Sequence, residues 1–100
     1  MKVEYSKEFI KSVKKNSGKI LESVRNTIQE VIAAKNIQEI TDCKKLTDFD
    51  SVYRIRIGGY RAFFVFHIEI VDDIVRFEYL FSRGEAYDKK NTKRLRSKDK

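Results

Sequence analysis

Tyr53–Phe64 reads YRIRIGGYRAFF. Apolar and charged residues alternate, stop at two glycines, and alternate again, which is the pattern of two strands joined by a tight turn. A two-residue turn needs positive φ, and glycine supplies it without steric cost. With Gly58-Gly59 as the turn, Ile57 pairs with Tyr60, Arg56 with Arg61, Ile55 with Ala62 and Arg54 with Phe63. Side chains alternate across a strand, so Ile55, Ile57, Tyr60, Ala62, Phe64 and Phe66 share one face. Arg54, Arg56, Arg61 and Phe63 share the other. The apolar set falls on one side without adjustment, and the sheet is thereby expected to have one buried face and one polar face.

Working outward, three strands are predicted: Val52–Ile57, Tyr60–Val71 and Ile74–Ser82, the last two joined at Asp72-Asp73. Carrying the register through that turn pairs His67 with Glu78 and Glu69 with Arg76, compatible partners on the polar face. Upstream, Val3–Tyr5 forms a short opening strand, and Ser6 is placed to cap a first helix carrying Phe9, Ile10 and Val13, with Glu8 in its first turn. Asn16-Ser17-Gly18 ends that helix. A second helix runs from Lys19 to about Lys35, with Ile20, Leu21, Val24, Ile28, Val31 and Ile32 at three- and four-residue steps. Residues 37–50 lose periodicity and read as a connecting loop with one helical turn, anchored by Leu46 and Phe49. The expected fold is α+β: two N-terminal amphipathic helices on one face of a small, mainly antiparallel twisted sheet, itself a short first strand plus a three-strand meander. Residues 1–88 form one domain, and 89–100 form a basic C-terminal tail.

That tail, KKNTKRLRSKDK, holds seven Lys/Arg and one apolar residue. Such a segment is ordinarily solvated and mobile, and it can fold on a bound polyanion. The whole chain carries a net charge of +7, with twelve Lys/Arg against seven Asp/Glu in residues 51–100, so the basic half is the one expected to meet an anionic partner. Apolar residues at 41% and aromatics at 12% describe a folded chain and exclude disorder. No run approaches a membrane span, and MKVEYSKEF lacks the apolar core of a signal peptide, so a cytoplasmic protein is expected. The lone Cys43 has no partner for an internal disulfide and no metal-ligand spacing around it.

The arginines pose the functional question. Arg56 directly opposite Arg61, with Arg54 two residues away on the same face, is a destabilising arrangement by up to about 1 kcal/mol. An anion such as phosphate would offset that cost, and the guanidinium fork suits phosphate because it donates bidentately. The alternative is that each arginine reaches a carboxylate such as Asp50, Glu78 or Glu85.

Two helices, then Tyr53-Arg54-Ile55-Arg56-Ile57-Gly58-Gly59-Tyr60-Arg61, then Phe81-Ser82-Arg83-Gly84-Glu85-Ala86-Tyr87 after the last strand, resemble the RelE/ParE superfamily of toxins from bacterial toxin–antitoxin modules. The resemblance spans nearly the whole chain. It implies helices on one sheet face and a concave basic site on the other. In the superfamily's nuclease branch it further implies ribosome-dependent cleavage of mRNA, by attack of the ribose 2′-hydroxyl on the adjacent phosphate, with neither metal nor cofactor. By position, Arg54 and Arg56 match the basic pair of the first hairpin strand, Arg61 the phosphate-holding arginine, Arg83 the arginine after the last strand, and Tyr87 the tyrosine that stacks on or orients the substrate. Phe63 beside the arginines, and Lys89 and Lys90 at the start of the tail, extend the candidate RNA surface, although Phe63 is as readily covered by the tail.

Arginine does not release its proton at ordinary pH, and so stabilises charge well and serves poorly as a base. Glu85 and Tyr87 are the titratable groups left near the site for proton transfer, with Glu78 on the same polar face, unless the reaction rests on charge stabilisation and on positioning by the ribosome. The resemblance implies an antitoxin partner of acidic character. It leaves two other functions open, a ParE-like inhibitor of DNA gyrase and a non-catalytic RNA-binding relative.

Overall fold

A computed structural model describes residues 1–67 and 73–99, His67 by its backbone alone. The hairpin that decides the fold takes the register expected of it. Strand β3 (Val52–Ile57) pairs antiparallel with β4 (Tyr60–His67), with Ile57 opposite Tyr60, Arg56 opposite Arg61, Ile55 opposite Ala62 and Arg54 opposite Phe63. Of the two turn glycines, Gly58 alone takes a left-handed φ, 56°, as a turn of type II′ requires at its first central residue.

The remaining strands complete a five-stranded sheet. Strand β5 (Ile74–Ser82) pairs with β4, and β1 (Lys2–Tyr5) adds to β5 in parallel. A short strand β2 (Cys43–Lys45) pairs with β3 on the opposite edge, giving the order β1-β5-β4-β3-β2. Strand β2 lies where the sequence reading placed only loop, and the expected helical turn beside it is a 3₁₀ turn at Ile37–Glu39. Three residues with no apolar alternation give no strand signal. The lysines are nonetheless what an edge strand carries to discourage pairing with another chain.

The β4–β5 register differs from the expected one. His67 lies opposite Ile74 and Arg76 opposite Val65, so neither the His67–Glu78 nor the Glu69–Arg76 pairing forms; Glu69 and Asp72 lie outside the described residues. A bulge explains the displacement. Phe63 faces Tyr79 while Phe64 faces Phe77, which leaves Glu78 as the extra residue. A bulge puts two residues of one strand against one of the other and re-aims the side chains beyond it. Val75 and Phe77 therefore join the core on the helix side, whereas Tyr79 and Phe81 pack on the opposite face.

Helices α1 (Lys7–Lys14) and α2 (Lys19–Ala33) cover the first face. Ser6 caps α1 as expected: its Oγ accepts from the Phe9 N–H at 3.0 Å and donates to the Glu78 carbonyl at 2.6 Å. One hydroxyl thus caps the helix, worth about 1 kcal/mol, and ties it to the bulge. Phe9, Val24 and Val31 meet Ile55, Ile57, Ala62, Phe64, Val75, Phe77 and Leu80 in this core.

The second face is not an open polar surface. A four-residue helix α3 (Arg83–Ala86) is followed by α4 (Lys89–Lys98), which occupies the segment expected to be a mobile tail. Leu95 of α4 packs with Phe49, Val52, Phe63, Val65, Tyr79, Phe81 and Ala86 into a second buried cluster. Asp88 caps α4 by accepting from the Lys90 N–H at 2.8 Å. At the far end, Asp99 accepts from the N–H groups of Asp50 (2.8 Å) and Ser51 (2.7 Å) and from the Ser51 hydroxyl (2.9 Å).

Candidate functional site

The arginines meet where β3, β4 and the end of β5 converge on the Gly58-Gly59 turn. Arg56 and Arg61 are directly opposed, and Arg54 lies on the same face. Strand β2 adds a cation that the sequence reading missed, since Lys44 lies opposite Arg54. Two like-charge pairs, Lys44–Arg54 and Arg56–Arg61, therefore run side by side across three strands. Arg83 joins them because its N–H donates to the Gly59 carbonyl at 2.9 Å, starting α3 at the hairpin turn. Its side chain is exposed, as is that of Arg56.

Arg61 is buried, at 7% exposure. Its Nη1 donates to the carbonyls of Gly58 (3.1 Å) and Tyr60 (3.0 Å), while its buried Nε has no hydrogen-bond partner. The turn thus fixes one corner of the guanidinium and leaves donors unused. A buried unsatisfied donor costs roughly 1–3 kcal/mol, a cost that Arg61 carries at its Nε. Among the described residues, ion pairs link Arg76 to Glu4 (3.5 Å) and to Glu78 (3.2 Å). No carboxylate among them pairs with Arg54, Arg56, Arg61 or Arg83, so the alternative of neutralised arginines fails for these residues.

Tyr87 ends α3 and is 65% exposed. It lines a cavity of about 210 Å³ with Leu46, Phe49, Phe63 and Leu95 among the other walls. Lys89 and Lys90 occupy the exposed first turn of α4, where the helix dipole disfavours a cation by about 0.3–1 kcal/mol and an anion is welcome.

No protein-family model matches this chain. A curated relative does: the toxin RelE3 of Methanocaldococcus jannaschii is 32% identical over 89 residues, spanning 88% of this chain and 97% of that protein. The chain belongs to the RelE toxin family. In structure it is similar to the RelB–RelE antitoxin–toxin complex from Methanococcus jannaschii, with a TM-score of 0.67 at 26% identity over 85% of this chain and 95% of that one. The RelE–RelB complex of Pyrococcus horikoshii (TM-score 0.64, 20% identity, 85% of this chain and 97% of that one) and the E. coli RelBE complex (0.63, 20%, 81% and 94%) share the fold.

Within this RelE-family frame the expected site residues divide. Arg54, Arg56, Arg61 and Arg83 gather around the turn. Glu85 is engaged elsewhere. Its Oε1 accepts from the Ser82 N–H at 3.0 Å and its own N–H donates to Ser82 Oγ at 3.3 Å, a capping box that starts α3. The Ser82 N–H foremost, then the Ser82 hydroxyl, hold its carboxyl below the usual glutamate range. A carboxylate so held is a weaker base than an ordinary one, which argues against Glu85 as the proton acceptor.

Phe63 offers no stacking surface. It is 1% exposed, with its ring 5.8 Å from that of Phe81 and α4 above it. Burial pushes the Cys43 thiol up to about 11, which leaves it inert as a nucleophile. No cluster of three or more His, Cys, Asp or Glu suited to a metal ion forms among the described residues. Leu46 and Phe49 anchor their loop as expected, packing into the second core; what the sequence reading missed is Lys44 on β2 and the cavity that this loop walls. Only strand pairing places Lys44 at the site, and nothing in a three-residue strand announces that pairing.

Proposed function

We propose that this chain is the toxin of a toxin–antitoxin pair, a cytoplasmic endoribonuclease that cuts mRNA on the ribosome. The observation that carries this reading is the set of arginines around the Gly58-Gly59 turn, which no carboxylate among the described residues neutralises. The scissile phosphate would lie against Arg61, which the turn carbonyls pre-orient, with Arg56 and Arg83 on either side. The 2′-hydroxyl attacks the adjacent phosphorus, the 5′-oxygen leaves, and the developing phosphorane charge is held by guanidinium groups that need not reorganise. Such a step requires neither metal nor cofactor. Glu85 is committed to α3 and Glu78 holds Arg76 through one oxygen, so no carboxylate among the described residues is engaged with these arginines. Water takes the 2′-hydroxyl proton and protonates the leaving 5′-oxygen, and the rate rests on charge stabilisation and on the geometry the ribosome imposes.

The antitoxin is the second partner. The chain's structural relatives were solved as antitoxin–toxin complexes, and an acidic segment would complement this basic face. One observation favours a different target. The absence of an engaged general base also fits a toxin that inhibits DNA gyrase by binding alone.

The test is a map of mRNA 5′ ends before and after brief expression of the protein. New ends inside coding regions, in phase with codons, are expected, and Arg61→Ala should reduce their rate of appearance by about 10²–10³, with circular dichroism confirming the fold. Growth arrest without new ends, accompanied by blocked supercoiling, would instead establish the gyrase reading.

A further inference from the structure

We propose that the cavity between the 46–49 loop, α3 and α4 is a pocket for one unstacked base of single-stranded RNA, and that Thr47 and Thr92 read the edge of that base. The proposal rests on the RNA-cutting reading and adds a specificity site to it. Phe63 and Leu95 are almost fully buried and form the deep end, whereas Tyr87 at 65% exposure and the exposed Thr47 stand at the mouth. The volume of about 210 Å³ lies below the roughly 300–1,000 Å³ of a drug-sized pocket. It does not admit a helix, whose diameter with side chains is about 10–12 Å. It does admit one flat aromatic ring, and Tyr87 offers such a ring an exposed partner.

Polar groups at the mouth suit a base better than an apolar side chain. The Thr92 hydroxyl donates to the Asp88 carbonyl at 3.1 Å, which leaves its oxygen lone pairs to accept an N–H. The Thr47 hydroxyl makes no hydrogen bond among the described residues and can donate or accept. Charge gives the second argument. Lys45 Nζ donates to the Phe49 carbonyl, and the Arg96 guanidinium sits 4.5 Å above the Phe49 ring while Nη1 donates to the Asp48 carbonyl at 3.3 Å. Two cations are thus fixed to the wall of an apolar cavity, and neither has a carboxylate partner among the described residues. An aromatic slot flanked by cations matches a base with a phosphate on each side.

The experiment measures equilibrium binding of the full chain, at low salt, to a short 2′-O-methyl RNA that cannot be cut and to the same oligonucleotide with abasic positions. The wild type should bind the base-bearing strand about tenfold or more tightly than the abasic one, as stacking of a single base implies. Thr47→Trp, a substitution at an exposed loop position that places an indole over the mouth, should abolish that difference without weakening the abasic strand. Thr47→Val should weaken the preferred base-bearing strand several-fold, leave the abasic strand unchanged, and so flatten the ranking of strands carrying different bases. Equal wild-type binding of both strands would remove the pocket while leaving phosphate binding by the arginines intact. Failure to bind either strand would overturn the pocket, while the RNA-cutting reading would still be decided by the map of mRNA 5′ ends. If Thr47→Trp weakened the cognate antitoxin and left RNA binding unchanged, the cavity would belong to a protein partner and the proposal would be overturned.

Discussion

The two faces of this sheet are closed by different physics. Helices α1 and α2 bring a stripe of apolar side chains to the first face, where burial does most of the holding and the Ser6 hydroxyl adds one tie to the Glu78 carbonyl. The second face is closed by α4, ten residues with six Lys/Arg and one buried side chain, Leu95. Isolated helices this short are marginal in water, and burying one leucine contributes only about 1.5–3 kcal/mol. Helix α4 therefore depends on polar clasps as well: the Asp88 cap, the Arg96 contact with Phe49 and the grip of Asp99 on Asp50 and Ser51. A cover held by one apolar anchor and a few hydrogen bonds should open far more readily than the core beneath it. This cover also carries six Lys/Arg, so the more basic face is the less stable one.

The largest effect tests the first face. Phe64 on β4 is fully buried in the helix-side core, and Phe64→Ala should cost about 3–5 kcal/mol, much of the total stability of a small domain. Urea denaturation should show global loss with a lower midpoint. Leu95→Ala tests the second face and should behave differently. A cost of about 2–3 kcal/mol confined to α4 should abolish amide-exchange protection in residues 89–99 while strands β3 to β5 keep theirs. Equal loss of protection across sheet and helix would mean that the two faces form one cooperative unit.

The same contrast explains what could be read from the sequence. The hairpin register and both N-terminal helices were legible because each buries a periodic apolar set, and a one-residue slip would turn every such residue outward. The arginine cluster followed directly from that register. The bulge at Glu78 was not legible, because in strict alternation Tyr79 and Phe81 fall on the same side as Phe77, and only three-dimensional packing of a second core moves them across. Nor was α4 legible, since one leucine in a run of cations has no period to detect. Without α4, Phe63 could be read either as a stacking platform or as covered by the tail, of which the second holds, and the cavity beside Tyr87 went unseen. Glu85 was proposed for proton transfer because it is titratable and close to the motif. The Ser82-x-x-Glu85 spacing of a capping box was present in the sequence, and it is the simpler account of that carboxylate.

Smaller effects sharpen the reading of the site itself. Lys44 lies opposite Arg54 on β2, exposed and distant from either core, so Lys44→Ala should leave stability within about 0.5 kcal/mol. It should weaken RNA binding for all sequences alike and reduce the dependence of log affinity on log salt by about one. An unchanged salt slope would place Lys44 outside the phosphate path and restrict the site to β3, β4 and α3.

The smallest expected effect concerns Glu85, and there the prediction is continuity. Glutamine also caps a helix from this position, so Glu85→Gln should preserve α3 and leave mRNA cleavage at the wild-type rate. If Glu85 were the base, the same substitution would abolish cleavage with the fold intact. The pH dependence of stability gives an independent reading. The folded-state carboxyl is held below its ordinary value by Ser82, so in acid the unfolded chain binds the proton more readily than the folded one. The capping box therefore contributes its full stability above the ordinary glutamate range, and that contribution is lost as the pH falls through the lowered folded value. Glu85→Gln should remove this part of the acid sensitivity and flatten the stability profile only at low pH. A flattening near neutrality would mean that the carboxyl titrates where a base must, and would restore Glu85 to the chemistry.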